Sequence, residues 1–250
     1  MAADTGVAAD TVEAALTQVA QRRAHEYVAE QIRRVVVLRV VAPGSRLPYE
    51  QELAAALGVS RATVTQALRQ LEREGLVEVR RGRGGGVFVQ EATTDGADPV
   101  VLAELRATAA TIHHAAGLRA IVEPAVAALA AERAGDDALE RLAGHNAAMR
   151  TAGEDDYRFM RADTSFHLAL ARASGNPLLV EAVERSRLAM ARALEVLPDS
   201  PAWHDRTVTQ HAALLDALRA HDAAAARRAM ARHVRDTGRA LNLMLTTLGS

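Results

Sequence analysis

Between Ala24 and Arg39 the apolar side chains Val28, Ile32, Val35 and Val36 recur three and four residues apart, the spacing that lays one stripe along an α-helix. Two prolines and a glycine in "APGSRLP" end that stripe. "EQELAAAL" predicts a short helix over Glu50–Leu57, closed by Gly58, which tolerates the left-handed conformation common at a helix end. Ser60 is placed to cap a third helix over Arg61–Glu74, with Val64, Leu68 and Leu71 turned inward and Gly75 as its stop. "LVEV" and "VFV" then alternate or run apolar around "RRGRGGG", which predicts a two-stranded hairpin with a basic, flexible tip.

"QEATTDGADP" carries no large apolar residue and predicts a boundary. Everything after it follows helical spacing. Helices are expected over Val100–His113, Gly117–Ala134, Asp137–Ala152, Asp155–Ser174, Pro177–Leu197, Asp205–Ala220 and Asp222–Leu248, punctuated by "SGNP" and "LPDSP". The fold class expected is mainly α: an N-terminal extension over 1–20, a winged helix-turn-helix over 21–90, a linker over 91–99, and an all-α antiparallel helical bundle over 100–250. A chain of 250 residues that is 49% apolar has enough material for two such cores.

Composition narrows the chemistry. Cysteine is absent, so disulfides and thiolate metal sites are excluded. The first residues lack a basic start followed by an apolar stretch, and no run approaches the roughly 18 apolar residues of a membrane span, so a soluble cytoplasmic protein with no membrane partner is expected. The net charge of −1 conceals a basic segment: residues 21–90 hold 12 arginines against 7 acids, a net of +5. All basic residues are arginine, which favours planar bidentate contacts, although base composition of the genome produces the same bias.

A helix ending at glycine, a short turn, and a second helix carrying arginine, threonine and glutamine form a helix-turn-helix whose second helix enters the major groove. Arg61, Ala62, Thr63, Thr65 and Gln66 are then candidates to face base edges of double-stranded DNA, and Ser60 to meet a phosphate. Arg80, Arg81 and Arg83 charge the hairpin tip, and Gly84 among Gly82–Gly86 permits close approach to the backbone or minor groove. The plainer alternative is a helical hairpin with a solvated arginine face. The glycine run lies between strands and opens no helix, so a nucleotide-phosphate loop is discounted.

"PGSRLPYEQELAAALGVSRATVTQALRQLEREGLVEVRRGRGGGVFV" resembles the winged helix-turn-helix of the GntR transcription regulators, nearly continuously from Pro43 to Val89. In the family's fatty-acid-responsive branch an arginine stands after the first glutamate of the second helix, and two more stand near the start of the recognition helix and one turn into it. The resemblance implies DNA contacts at the matching positions Gln51, Arg61 and Thr65, of which only Arg61 keeps the arginine, so the operator of that branch is not expected here.

Farther along, four polar groups interrupt apolar stripes. Asp163 and His167 share one helix face with Met160, Leu170 and Ser174; His211 sits among Leu214, Leu215 and Leu218; His233 sits among Met230, Val234 and Leu241. A lone histidine there is usually a satisfied core residue, whereas three imidazoles and a carboxylate from three helices suit a divalent ion such as zinc, nickel or manganese. "LRAIVEPAVAALAAERA", "DTSFHLALARASGNPLL" and "QHAALLDALRAHDAAAARRAMARHV" resemble the signature segments of the FCD effector domain of FadR-type GntR regulators. That resemblance implies a metal held by Asp163, His167, His211 and His233, a small organic acid as effector, and a homodimer on a pseudo-palindromic operator, more often as a repressor. Arg119, on a helix whose Ile121, Val122, Ala125 and Leu129 are expected to face the core, is a candidate partner for the effector's anion; a surface salt bridge to Glu123 is the alternative. A metal-sensing regulator and a zinc hydrolase are the rival readings, the latter lacking HExxH or an evident general base.

Overall fold

A computed structural model describes residues 24–82, 84–90, 99–153, 155–195 and 201–249. The expected extension over 1–20, most of the linker, Arg83 at the hairpin tip, and the end of the helix expected to reach Leu197 lie outside the described residues.

The N-terminal unit contains α1 (Ala24–Val37), α2 (Glu50–Leu57), α3 (Arg61–Arg73), β1 (Val77–Arg80) and β2 (Gly86–Val89). Gly58 adopts φ 64°, which lets its N–H bond back to the α2 carbonyls of Ala54 and Ala55 and turns the chain into α3. The Ser60 hydroxyl oxygen accepts from the Thr63 N–H at 3.1 Å and caps α3. Val64, Ala67, Leu68 and Leu71 of α3 pack with Val28, Ala29 and Ile32 of α1 and with Val77, Val87 and Val89 of the hairpin in one small core. The strands are antiparallel, pairing Val77 with Val89 and Arg80 with Gly86, and Arg46 extends the pairing through a bridge to Phe88.

The larger core belongs to six helices: α4 (Pro99–Arg133), α5 (Asp136–Ala152), α6 (Asp156–Ala173), α7 (Pro177–Glu195), α8 (Pro201–Arg219) and α9 (Ala223–Gly249). α4 runs through the bundle, packing most extensively on α9 and also on α6, α7 and α8. Its continuity corrects the expectation of separate helices over Val100–His113 and Gly117–Ala134. The glycines that end helices here have positive φ, as at Gly58, Gly75, Gly153 and Gly175; Gly117 does not. Relative to alanine, a mid-helix glycine costs only about 1 kcal/mol, which packing along α4 readily outweighs. Joined in this way, Leu102–Arg133 is long and apolar enough to cross a bilayer by length and composition, but half of that window is buried among other helices.

Two smaller corrections concern orientation. Ile121 is 75% exposed, while Arg119, Glu123, Val126, Ala127 and Ala130 are buried, so the inward stripe of α4 carries an ion pair that an apolar pattern does not reveal. His204, just before the helix expected over Asp205–Ala220, lies in α8, which starts at Pro201; its ring stacks on Phe159 at 3.7 Å. Proline at the first helical position already has the φ the helix needs, so α8 begins earlier than expected.

The two units meet at the end of α1. Leu38 is buried in the core of the bundle. The Arg39 guanidinium lies 4.6 Å from the centre of the Tyr157 ring and donates to the Tyr157 carbonyl at 3.3 Å. Arg34 pairs with Glu184 of α7. The first turn of α6 and the middle of α7 therefore hold the DNA-binding unit's first helix.

Candidate functional site

On the N-terminal unit, α3 presents Arg61 and Gln66 to solvent with Thr63 and Thr65 half-buried beside them; Gln51, Ser60, Arg81 and Gly84 are exposed. Arg61 is held by Glu50, its Nε donating to the carboxylate at 2.8 Å. The Thr65 hydroxyl donates to the Arg61 carbonyl within its own helix at 3.0 Å, which occupies its proton locally. The Ser60 and Thr63 hydroxyls are 2.8 Å apart.

In the bundle, α6, α8 and α9 bring Asp163, His167, His211 and His233 together, each buried, with one potential ligand atom from each lying within 4.8 Å of the others. His167 Nε2 is 3.1 Å from His233 Nε2, and His233 Nε2 is 3.4 Å from His211 Nε2. Asp163 Oδ1 is 3.6 Å from His167 Nε2 and 3.8 Å from His211 Nε2.

The ring orientations follow from the groups behind them. His167 Nδ1 faces the Glu123 carboxylate at 2.6 Å, and a carboxylate kept ionised can only accept, so Nδ1 carries the proton. His233 Nδ1 faces the Gln210 carbonyl oxygen at 3.0 Å, and Gln210's amide is itself oriented by donating to Asp236 at 2.7 Å. Both imidazoles consequently direct Nε2 lone pairs at one point. His211 is held by stacking on Phe166, with ring centres 4.1 Å apart, and its buried Nδ1 has no hydrogen-bond partner among the described residues.

Electrostatics keep His211, His233 and Asp163 in the forms a cation requires. Burial pushes His211 down to about 3, with the neighbouring His167 adding to the effect, and burial followed by His211 and His167 pushes His233 well below the usual histidine range. For Asp163 burial acts in the opposite direction, but Arg187 and His167 outweigh it and hold the carboxyl well below its ordinary value. Glu123 is likewise lowered against the effect of burial by Arg119 and His167. Neutral imidazoles and an ionised carboxylate are the ligand forms of a divalent metal.

The spacing fits such an ion. Zinc–nitrogen bonds of roughly 2.0–2.1 Å place tetrahedral ligand atoms about 3.3–3.4 Å apart, close to the four separations of 3.1–3.8 Å given above in a cluster whose ligand atoms all lie within 4.8 Å of one another. Two nitrogen lone pairs 3.1 Å apart also repel unless a proton or cation lies between them. The donor set of three imidazoles and one carboxylate suits zinc, nickel and manganese alike.

Four residues of this centre were not anticipated in their actual roles. Glu123 orients His167. Arg119 is neither a surface bridge nor free, for it is buried against Glu123, with Nε donating at 2.5 Å. Arg187 of α7, wholly buried, donates through Nη2 to Asp163 at 2.6 Å and to the Thr164 hydroxyl at 2.9 Å, while its Nε and Nη1 have no partner among the described residues. Gln210 completes the set. For Arg187 a sequence signal existed: Val183, Arg187, Met190 and Leu194 fall at one helical stripe, and the other three are buried apolar residues.

Comparison with known proteins accords with the two-part organisation of the chain. The family profile described as "Bacterial regulatory proteins, gntR family" matches residues 24–89. A profile described as "FCD domain" matches residues 114–236. "HTH-type transcriptional repressor NanR" of Cronobacter sakazakii is 32% identical over 226 residues, covering 86% of this chain and 84% of that protein. The chain belongs to the GntR family. A second GntR relative, the NanR repressor of Citrobacter rodentium, is 31% identical over the same shares of both chains. The solved structure of E. coli McbR/YncC, 22% identical, superposes with a TM-score of 0.53 over 89% of this chain and 99% of that one, and has the same fold. As a GntR regulator with an FCD domain the chain is a DNA-binding transcription regulator and not an enzyme, which sets aside the hydrolase reading.

Proposed function

We propose that this regulator is a cytoplasmic repressor whose operator affinity is set by a small organic acid bound beside a divalent metal in the helical domain. The convergence of Asp163, His167, His211 and His233 carries the reading, because four buried potential ligand atoms lie within 4.8 Å of one another, with His211 and His233 held neutral and Asp163 ionised. Repressor activity is taken from the curated relatives, both of which are described as repressors.

The charges nearby favour an anionic effector. Arg119 and Arg187 balance Glu123 and Asp163, so a divalent cation leaves the buried centre with two uncompensated positive charges. A mono- or dicarboxylate offsets them. Arg187 is the better placed arginine to receive it, since Arg119 is paired with Glu123 and Arg187 retains two donors without partners among the described residues. The metal supplies a Lewis-acidic point for an effector oxygen; the protein supplies orientation and charge.

DNA is read as a pseudo-palindrome by a homodimer, one α3 per half-site, with half-sites about one helical turn, roughly 34 Å, apart. Arg61 and Gln66 reach base edges, Gln51, Ser60, Thr63 and Thr65 add uncharged hydrogen bonds, and Arg81, Arg83 and Gly84 bring the wing to the backbone. Ligand binding is transmitted through α6 and α7. Those helices are clipped together by Asp163 and Arg187, and both also grip the end of α1, at Tyr157 and Glu184. Operator affinity falls by the effector's differential affinity for the two arrangements of these helices.

The test measures operator binding by fluorescence anisotropy with metal-free protein, metal-loaded protein, and metal-loaded protein titrated with small mono- and dicarboxylates. Release from DNA only when metal and acid are both present is expected. Release by metal alone makes the protein a metal sensor and overturns the effector reading. Arg61→Ala is expected to weaken specific binding by about 1–3 kcal/mol; unchanged affinity removes α3 from the role of recognition helix.

A further inference from the structure

The DNA-binding surface has a second, independently built feature. Arg46 lies in the segment leading into α2, and its guanidinium is 4.3 Å from the centre of the Tyr49 ring, with Nη1 donating to the Tyr49 hydroxyl at 2.7 Å. Both side chains are exposed, Tyr49 by 53%. The aliphatic stem of Arg46 runs over Gly86 at the start of β2. A β-carbon at that position would come within 2.7 Å of Arg46 Cδ and 3.1 Å of Cγ, so the wing leaves out a side chain where this arginine passes. The backbone of Arg46 is bridged to Phe88, and on β1 the Arg80 guanidinium lies 4.5 Å from the centre of the Phe88 ring.

We infer that Arg46, seated on Tyr49 at the junction of the helix-turn-helix and the wing, is a preformed contact for a DNA backbone phosphate. In a helix-turn-helix the helix preceding the recognition helix crosses the backbone, and Tyr49 stands immediately before that helix, α2. Arg46 is joined to the wing as well, so its charge lies where the two DNA-facing elements meet. A guanidinium has five N–H donors, more than one tyrosine hydroxyl can accept.

What distinguishes this arginine is that its position is set before DNA arrives. A long side chain ordered at binding loses rotamer freedom, whereas one already stacked, hydrogen-bonded and laid in a groove loses less. Arg61 differs, because its Nε is engaged with Glu50 and must share or leave that carboxylate to contact DNA. With Gln51 and Thr65 uncharged, and the Thr65 hydroxyl turned onto its own helix, a larger part of the affinity rests on such backbone contacts. Arg46 thus contributes affinity and register for every duplex and no sequence preference.

The inference rests on duplex binding by the winged unit, so the experiment includes that control. Full-length protein is titrated against a fragment of its own upstream DNA and against a random duplex of equal length, between 50 and 200 mM salt. Arg46→Ala is expected to weaken both to a similar extent and to lower the slope of log K against log salt by about 1. Arg46→Gln keeps the stem over Gly86 and must lower the slope by the same amount, which provides the answer should the alanine variant fail to fold. Tyr49→Ala keeps the charge and is expected to keep the slope while weakening both duplexes several-fold. An unchanged slope in Arg46→Gln, or a loss confined to one sequence, overturns the inference. Failure of the unaltered protein to bind any duplex would overturn the regulator reading itself.

Discussion

Arg187 and Asp163 are joined by a buried 2.6 Å hydrogen bond from Nη2 to Oδ2, while the other oxygen of the same carboxylate faces His167 and His211. One side chain thereby belongs both to the candidate metal centre and to the contact between α6 and α7. Removing Arg187 leaves a carboxylate buried without its cation. Arg187→Met in the metal-free protein is expected to cost about 3–5 kcal/mol in a urea unfolding measurement, with part of it recovered on adding zinc. Loss of less than 1 kcal/mol would show that Asp163 is not charged and paired in solution.

Glu123 touches no potential metal position, yet it sets which nitrogen of His167 is protonated. Glu123→Gln is expected to lower metal affinity by about 10–100-fold with the four ligands intact, measured by competition with a chromogenic chelator. His211→Ala combined with His233→Ala is expected to yield metal-free protein by elemental analysis. Full occupancy in that double variant would mean that the ligands lie elsewhere.

In metal-free protein the depressed histidines make stability depend on acidity. Folded His211 titrates at about 3 against an ordinary 6.5, and His233 is lowered in the same direction. Between those values the unfolded chain binds more protons than the folded one, so stability is full above pH 6.5 and declines as pH falls towards 3. Each group contributes at most about 1.4 kcal/mol per pH unit. Asp163 and Glu123, lowered as well, deepen the loss below about pH 4. Thermal melting of chelator-treated protein between pH 7 and 5 checks this; a flat melting temperature would contradict the buried neutral state of the histidines.

Glu184 lies three residues before Arg187 on α7 and pairs with Arg34 of α1. Glu184→Ala is expected to leave metal affinity unchanged and to reduce the effect of ligand on operator affinity. Glu184→Arg with Arg34→Glu is expected to restore part of that effect. The comparison is the ratio of DNA affinities with and without ligand. Equal ratios in the unaltered and Glu184→Ala proteins would place the coupling elsewhere.

Much of this protein was legible from local chemistry. Ser60, Gly58 and Gly75 marked helix ends because capping and left-handed turns depend on the residue itself and its near neighbours. Asp163, His167, His211 and His233 stood out because each interrupts an apolar stripe at a spacing of three or four residues, and the structure brings those stripes together. Gly117 misled, since a glycine ends a helix only where its backbone turns left-handed, and packing along α4 decided that it would not.

What sequence alone determined, then, was the order of elements, the basic winged unit, and which polar side chains had to be buried, because periodicity and capping act over a few residues. Tertiary structure decided their partners. Glu123 behind His167, Arg187 on Asp163, Arg46 over Gly86 and Leu38 in the bundle core are contacts between segments far apart in the chain. A buried charge must find its counter-charge, but its identity follows from how helices pack, and helix phase does not encode it.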